Sequence, residues 1–272
     1  MFSFLGNYDN LLSMEKVSLS NKAEEVIERF RNFSFGSAIC SIPYFNNRSK
    51  GRRGALRVEI GKGSVDDISD ELRQKAIKYR IDKDNLTSET LKRFLVEQNL
   101  GVDCSAFAYY ILNEEGMSRG LKGITEYLKF PYSGGFLGSI KTKLRPVENA
   151  GVKTFANNLN STLIRVSDVL PGDIITMIGD ENGESRDHIL IVESVIKENG
   201  KLNKINYVHY VAWPTDGMYN HGYHEGQISI SDSEGNILEG EWVENNKHNE
   251  ENYTFLRAKK SLTEVRRINW LR

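Results

Sequence analysis

Between Ser20 and Phe33 the apolar positions Ala23, Val26, Ile27 and Phe30 recur at three- and four-residue intervals, which predicts an amphipathic helix with Ser20 or Asn21 as cap. The same period predicts helices over Asp66–Ile81, through Ile68, Leu72, Ala76 and Ile77, and over Thr87–Glu97, where Thr87 and Ser88 are candidate caps. A fourth helix is expected from Cys104 to Leu112, ending near Gly116, with Phe107, Tyr110 and Ile111 as its core-facing stripe. Between these, Asn46–Gly54 reads as an exposed basic loop and Ala55–Ile60 alternates like a short strand. Gly134, Gly135 and Gly138 mark an irregular middle section.

Beyond Pro171 the period changes from helical to alternating. Strands are expected over Asp173–Ile178, His188–Ile196, Ile205–Trp213, Gln227–Ser231 and Thr254–Ala258, with turns such as Glu198-Asn199-Gly200 between them. Helices first and an antiparallel meander after them point to an α+β domain. No repeat or low-complexity linker divides the 272 residues, so the expectation is one domain over 1–272.

Composition narrows the function classes. With 36 lysines and arginines against 37 aspartates and glutamates, no single-sign field favours nucleic acid or an anionic membrane. No apolar run approaches the roughly 20 residues a membrane span needs. The opening MFSFLGNYDNLLSME lacks the layout of a secretion signal, so the expectation is a cytoplasmic or released protein, or a secreted one whose leader was removed. Two cysteines, Cys40 and Cys104, are too few for a disulfide framework and read as thiols.

The densest chemical signal is Val102-Asp103-Cys104-Ser105, where Asp103 suits a cap and Cys104 falls in the first helical turn. Unpaired N–H groups and the helix dipole there stabilise a thiolate, so the thiol is expected below its ordinary value of roughly 8.5. They can also hold an oxyanion. The plain alternative is a small buried hydrophobe. His188 opens a strand 84 positions later (188 minus 104), where an imidazole can take the thiol proton; a loop-edge histidine is the alternative. His209, on the strand folded back against it, is the candidate that orients His188, and a half-buried histidine bonded to backbone is its alternative.

Together these elements resemble the NlpC-type family of bacterial cell-wall cysteine peptidases. The matching pieces are Asp103-Cys104-Ser105 opening a helix, the Pro171-Gly172-Asp173 turn and His188 leading a strand. Ala106 stands where the family has glycine. Pro43-Tyr44 matches the family's Pro-Tyr pair, though it lies about 60 residues before the cysteine with two predicted helices between. The resemblance covers residues 41–213, leaving 48–99 as an insertion and 214–272 as C-terminal strands without a role. It implies a papain-like core with N-terminal helices packed on an antiparallel sheet, catalysis by Cys104, His188 and His209, and substrate contacts from Tyr44, Asp103 and Ser105. It further implies a peptide or peptidoglycan-fragment substrate, cut at a D-glutamyl to diamino-acid bond, with no cofactor.

Other clusters rank lower. His221 and His224, with Asp216 and Glu225 nearby, lack an evident third ligand, so a solvated turn is expected rather than a metal site. Arg48, Lys50, Arg52 and Arg53 read as an exposed loop or the wall of a groove. Tyr109, Tyr110, Phe130 and Tyr132 read as core or groove-wall aromatics. Two rivals share the scaffold: an acyltransferase or amidase using a lipid amide or thioester, and a binding module without activity.

Overall fold

The computed structural model describes residues 13–46, 57–131, 142–179, 186–232 and 235–271. The basic run Arg48–Arg53, Tyr132 and the glycines 134, 135 and 138 lie outside the described residues. The chain is a mixed helix and antiparallel-sheet structure. Strand β1 (Met14–Ser18) leads into helix α1 (Asn21–Arg31), capped by Ser20, and a small hairpin of β2 (Phe33–Phe35) and β3 (Ala38–Cys40). Helices α2 (Val65–Tyr79) and α3 (Ser88–Glu97) each start on a capping box, Ser64 with Asp67 and Thr87 with Thr90. Each box satisfies N–H groups that a helix start otherwise leaves bare. Helix α4 (Cys104–Ser118) follows, capped by Asp103.

The rest of the chain is the sheet: β4 (Ser161–Leu163), β5 (Ile174–Ile178), β6 (His188–Glu198), β7 (Lys201–Val211), β8 (Gly222–Ser229), β9 (Glu241–Glu244) and β10 (Lys247–His248). Helix α5 (Tyr253–Lys259) and β11 (Leu262–Ile268) close it. Among the described residues nine strands pair antiparallel in the order β10-β9-β8-β7-β6-β5-β11-β4, and β1 lies against the far half of β6. No described helix is long and apolar enough to cross a membrane.

The sheet has two buried faces, and they carry different cargo. Ile189, Ile191, Val208 and Tyr210 join a core with α1, α3 and α4 on one face; Leu190, Val192, Tyr207, Trp242 and Phe255 form a second core on the other. Because side chains alternate along a strand, His188 shares the second face with Leu190, and His209 shares it with Tyr207.

Three expected elements differ. Residues 58–60 form a 3-10 turn instead of a strand. Thr254–Ala258 lies within helix α5, because the Asn252 side chain accepts the N–H groups of Thr254 and Phe255 and caps a helix there. Helix α4 has no single core stripe: Phe107, Ala108, Ile111 and Leu112 are all buried, since the helix is enclosed by the sheet on one side and α1 on another.

Candidate active site

The mouth of α4 is built by three strands of irregular chain lying side by side. The Val102 N–H donates to Pro43 O and the Phe45 N–H to Val102 O, each at 3.0 Å, and the Asp103 N–H donates to Gly61 O at 2.9 Å. Glycine is required at two of these crossings. Gly61 sits at φ +74°, where a Cβ would overlap the Phe45 carbonyl, and a Cβ on Gly101 would stand 2.5 Å from Pro43 O. The crossing carries Tyr44 to the site despite its distance in sequence, close enough that Cys104 and Asp103 both disfavour its phenolate; burial is the larger cause of that upward shift.

The same crossing brings in Lys62, which sequence reasoning missed. Its ammonium donates to Asp103 Oδ1 at 3.0 Å, Ser105 Oγ at 2.6 Å and Ala150 O at 2.9 Å, all buried. Asp103 Oδ1 also accepts the Ala106 N–H at 2.7 Å and the Ser105 hydroxyl at 2.9 Å. Asp103 and Ser105, expected to meet substrate, therefore spend their polar atoms inward: they cap α4 and neutralise Lys62. A buried ion pair with its remaining valences filled is the arrangement that tolerates loss of water.

Cys104 is 5% exposed and unpaired. The expected low thiol is overturned, because burial and then the Asp103 carboxylate push it up to about 12, outweighing Lys62, Arg257 and a hydrogen bond with the Ile189 backbone. That last contact ties Cys104 to β6 one residue after His188. The helix dipole is real but worth less than desolvation here.

His188 is the first link of a buried polar chain crossing four strands. His188 Nε2 lies 2.7 Å from His209 Nδ1, and His209 Nε2 lies 3.1 Å from Glu244 Oε2. Glu244 Oε1 lies 2.7 Å from His224 Nδ1, and His224 Nε2 lies 3.2 Å from Asp216 Oδ2. Strand pairing sets the spacing, since His209 stands opposite His224 in the β7–β8 register and Gly226 opposite Glu244 in the β8–β9 register. Burial, followed by Arg257 and the neighbouring rings, holds His188 well below its ordinary 6.5. Burial lowers His209 too, against the pull of Glu244. For His224 burial is outweighed by Asp216 and Glu244, and it rises to about 9. Burial works against the Glu244 carboxylate, but His209 and His224 hold it down at about 2.

His224 is therefore not in a solvated turn: it is buried on β8 between Asp216 and Glu244, and Glu244 is the acidic partner that local spacing did not reveal. His209, His224 and Glu244 bring one potential metal-binding atom each within 4.8 Å, yet hydrogen bonds already join all three. His221 stands apart from the chain, its Nδ1 buried and without a partner. The Pro171-Gly172-Asp173 turn is structural, with Asp173 accepting from Leu170 N–H and twice from Arg267.

Arg257 was also missed. From α5 its charge acts on Tyr44, Cys104, His188 and His209, while its guanidinium makes no hydrogen bond or ion pair with another described residue. Its signal was hidden because its segment was read as a strand. The chain matches no protein-family model, no curated protein and no solved structure.

Proposed function

We propose that the chain is a cysteine-dependent amide hydrolase of papain-like build, similar to NlpC-type peptidases, acting on peptide bonds of bacterial cell-wall stem peptides of the D-glutamyl to diamino-acid kind. The observation that carries this reading is the buried His188–His209 contact of 2.7 Å, on the strand whose Ile189 N–H meets the Cys104 thiol. His188 Nε2 is committed to His209, so Nδ1 is the nitrogen available to the sulfur.

Both partners rest uncharged at neutral pH, so the thiol proton moves as the bond forms rather than beforehand. The Cys104 sulfur attacks the carbonyl carbon while its proton passes to His188 Nδ1. The Cys104 and Ser105 N–H groups at the start of α4 receive the oxyanion, because the Ala106 N–H is taken by the Asp103 carboxylate and the Phe107 N–H by the Asp103 carbonyl. Collapse breaks the C–N bond and His188 protonates the leaving amine. Water, deprotonated by the same nitrogen, then releases the acid from the thioester. Tyr44 lines the approach.

The 5% exposure of Cys104 favours a second reading, a binding module on the same scaffold. Digestion of purified muropeptides separates the two. The hydrolase reading expects cleavage by the parent and none by Cys104→Ala or Cys104→Ser. Cleavage by all three at one rate, or by none, rejects it.

A further inference from the structure

The polar chain behind His188 has a direction that its end fixes. Glu244 Oε2 accepts the Tyr207 hydroxyl at 2.8 Å and also faces His209 Nε2, while Oε1 faces His224 Nδ1. An ionised carboxylate accepts and cannot donate, so both of those ring nitrogens carry protons. His209, neutral and protonated on Nε2, then presents a bare Nδ1. The 2.7 Å contact between the rings must be donated by His188 Nε2–H. A neutral His188 with its proton on Nε2 keeps its lone pair on Nδ1.

We propose that Glu244 is a positioning residue that, through His209, locks His188 in the tautomer whose Nδ1 can accept the Cys104 proton. This rests on the reading of Cys104 and His188 as nucleophile and base. The reversed order fails on chemistry, because it sets a bare His209 Nε2 against a carboxylate oxygen, acceptor against acceptor.

The far end keeps Glu244 ionised. His224 faces a carboxylate with each nitrogen, Glu244 on one side and Asp216 on the other, which is the environment of an imidazolium. The Asn245 Nδ2 is placed 3.2 Å from His224 Nδ1, donor against donor once that nitrogen is protonated, so an imidazolium here requires the amide turned over to present its oxygen. Asp216 is itself held by the Trp213 N–H at 2.6 Å. Arg257, facing His188 and His209 from α5, disfavours a second proton on either ring. The charge thus sits at Glu244, His224 and Asp216, and the two rings nearest the sulfur stay neutral.

Two-bond nitrogen–proton correlation spectra of protein labelled with ¹⁵N-histidine, taken at pH 7, read the tautomers directly. The expected parent spectrum has His188 and His209 protonated on Nε2 alone and His224 protonated on both nitrogens. In Glu244→Gln the amide can face either way, so His209 and His188 should lose their single tautomer, with kcat on muropeptides falling about 10- to 100-fold and KM little changed. Glu244→Asp should recover part of the rate. A parent His188 protonated on Nδ1, or an unchanged tautomer in folded Glu244→Gln, overturns the proposal. If Glu244→Gln does not fold, the parent spectrum alone decides. A parent with the expected tautomers that cleaves nothing rejects the hydrolase reading and leaves the ring order standing.

Discussion

Cys104 is flanked by two buried polar clusters built in opposite ways. On the helix side, Lys62, Asp103 and Ser105 form a closed knot in which every charge is cancelled on the spot. On the sheet side, His188, His209, Glu244, His224 and Asp216 form an open chain whose charges lie at the far end and whose near end is neutral. A closed knot can only hold a helix start in place. An open chain can set the protonation of a distant ring, because each link dictates the donor and acceptor of the next.

Breaking the knot should cost the most stability. Lys62→Met leaves Asp103 buried without its cation, and urea unfolding is expected to show a loss of about 3 to 5 kcal/mol. A loss under 1 kcal/mol would mean that the pair is hydrated. Next comes the charged end of the chain. His224 is raised from 6.5 to about 9, so its stabilisation is complete below pH 6.5 and disappears as pH climbs through 9. Stability should decline by about 1 to 3 kcal/mol across that window and the decline should vanish in His224→Gln. His188 and His209 act with the opposite sign: both are lowered, so their share is present above 6.5 and lost as pH falls below it.

The smallest expected effect is at Arg257, which touches neither cluster by a hydrogen bond. Its positive charge lowers both Cys104 and His188. Arg257→Gln should therefore move the acid limb of kcat/KM to higher pH by less than about one unit, with stability unchanged. No movement would place the guanidinium too far from the imidazole to matter.

How much of this was legible in the sequence follows the same division. Helices α1 to α4, the Asp103 cap, the strands opening at His188 and leading to His209, and the α+β class were readable, because each is written in local period or in a cap adjacent to it. Tyr44 was readable only through resemblance; what carries it to the site is a pair of glycine crossings at Gly61 and Gly101. Lys62 and Glu244 left no local signal, since one arrives by an irregular crossing and the other on a short strand five strands into the sheet order from β11. Strand β11 was hidden by Arg266 and Arg267, whose charges are matched by Glu264 and Asp173. The low thiol was misjudged for a physical reason: the dipole of α4 was counted and the burial of its first turn was not.

The central claim is that Cys104 and His188 act as one site, and mass spectrometry of the protein incubated with a muropeptide tests it most directly. Acid quenching of the parent with a muropeptide substrate should trap a thioester on Cys104, with the amine half of the substrate released in equal amount. His188→Ala should form none. Hydrolysis that proceeds without any adduct on Cys104, or an adduct formed equally fast without His188, would contradict the account.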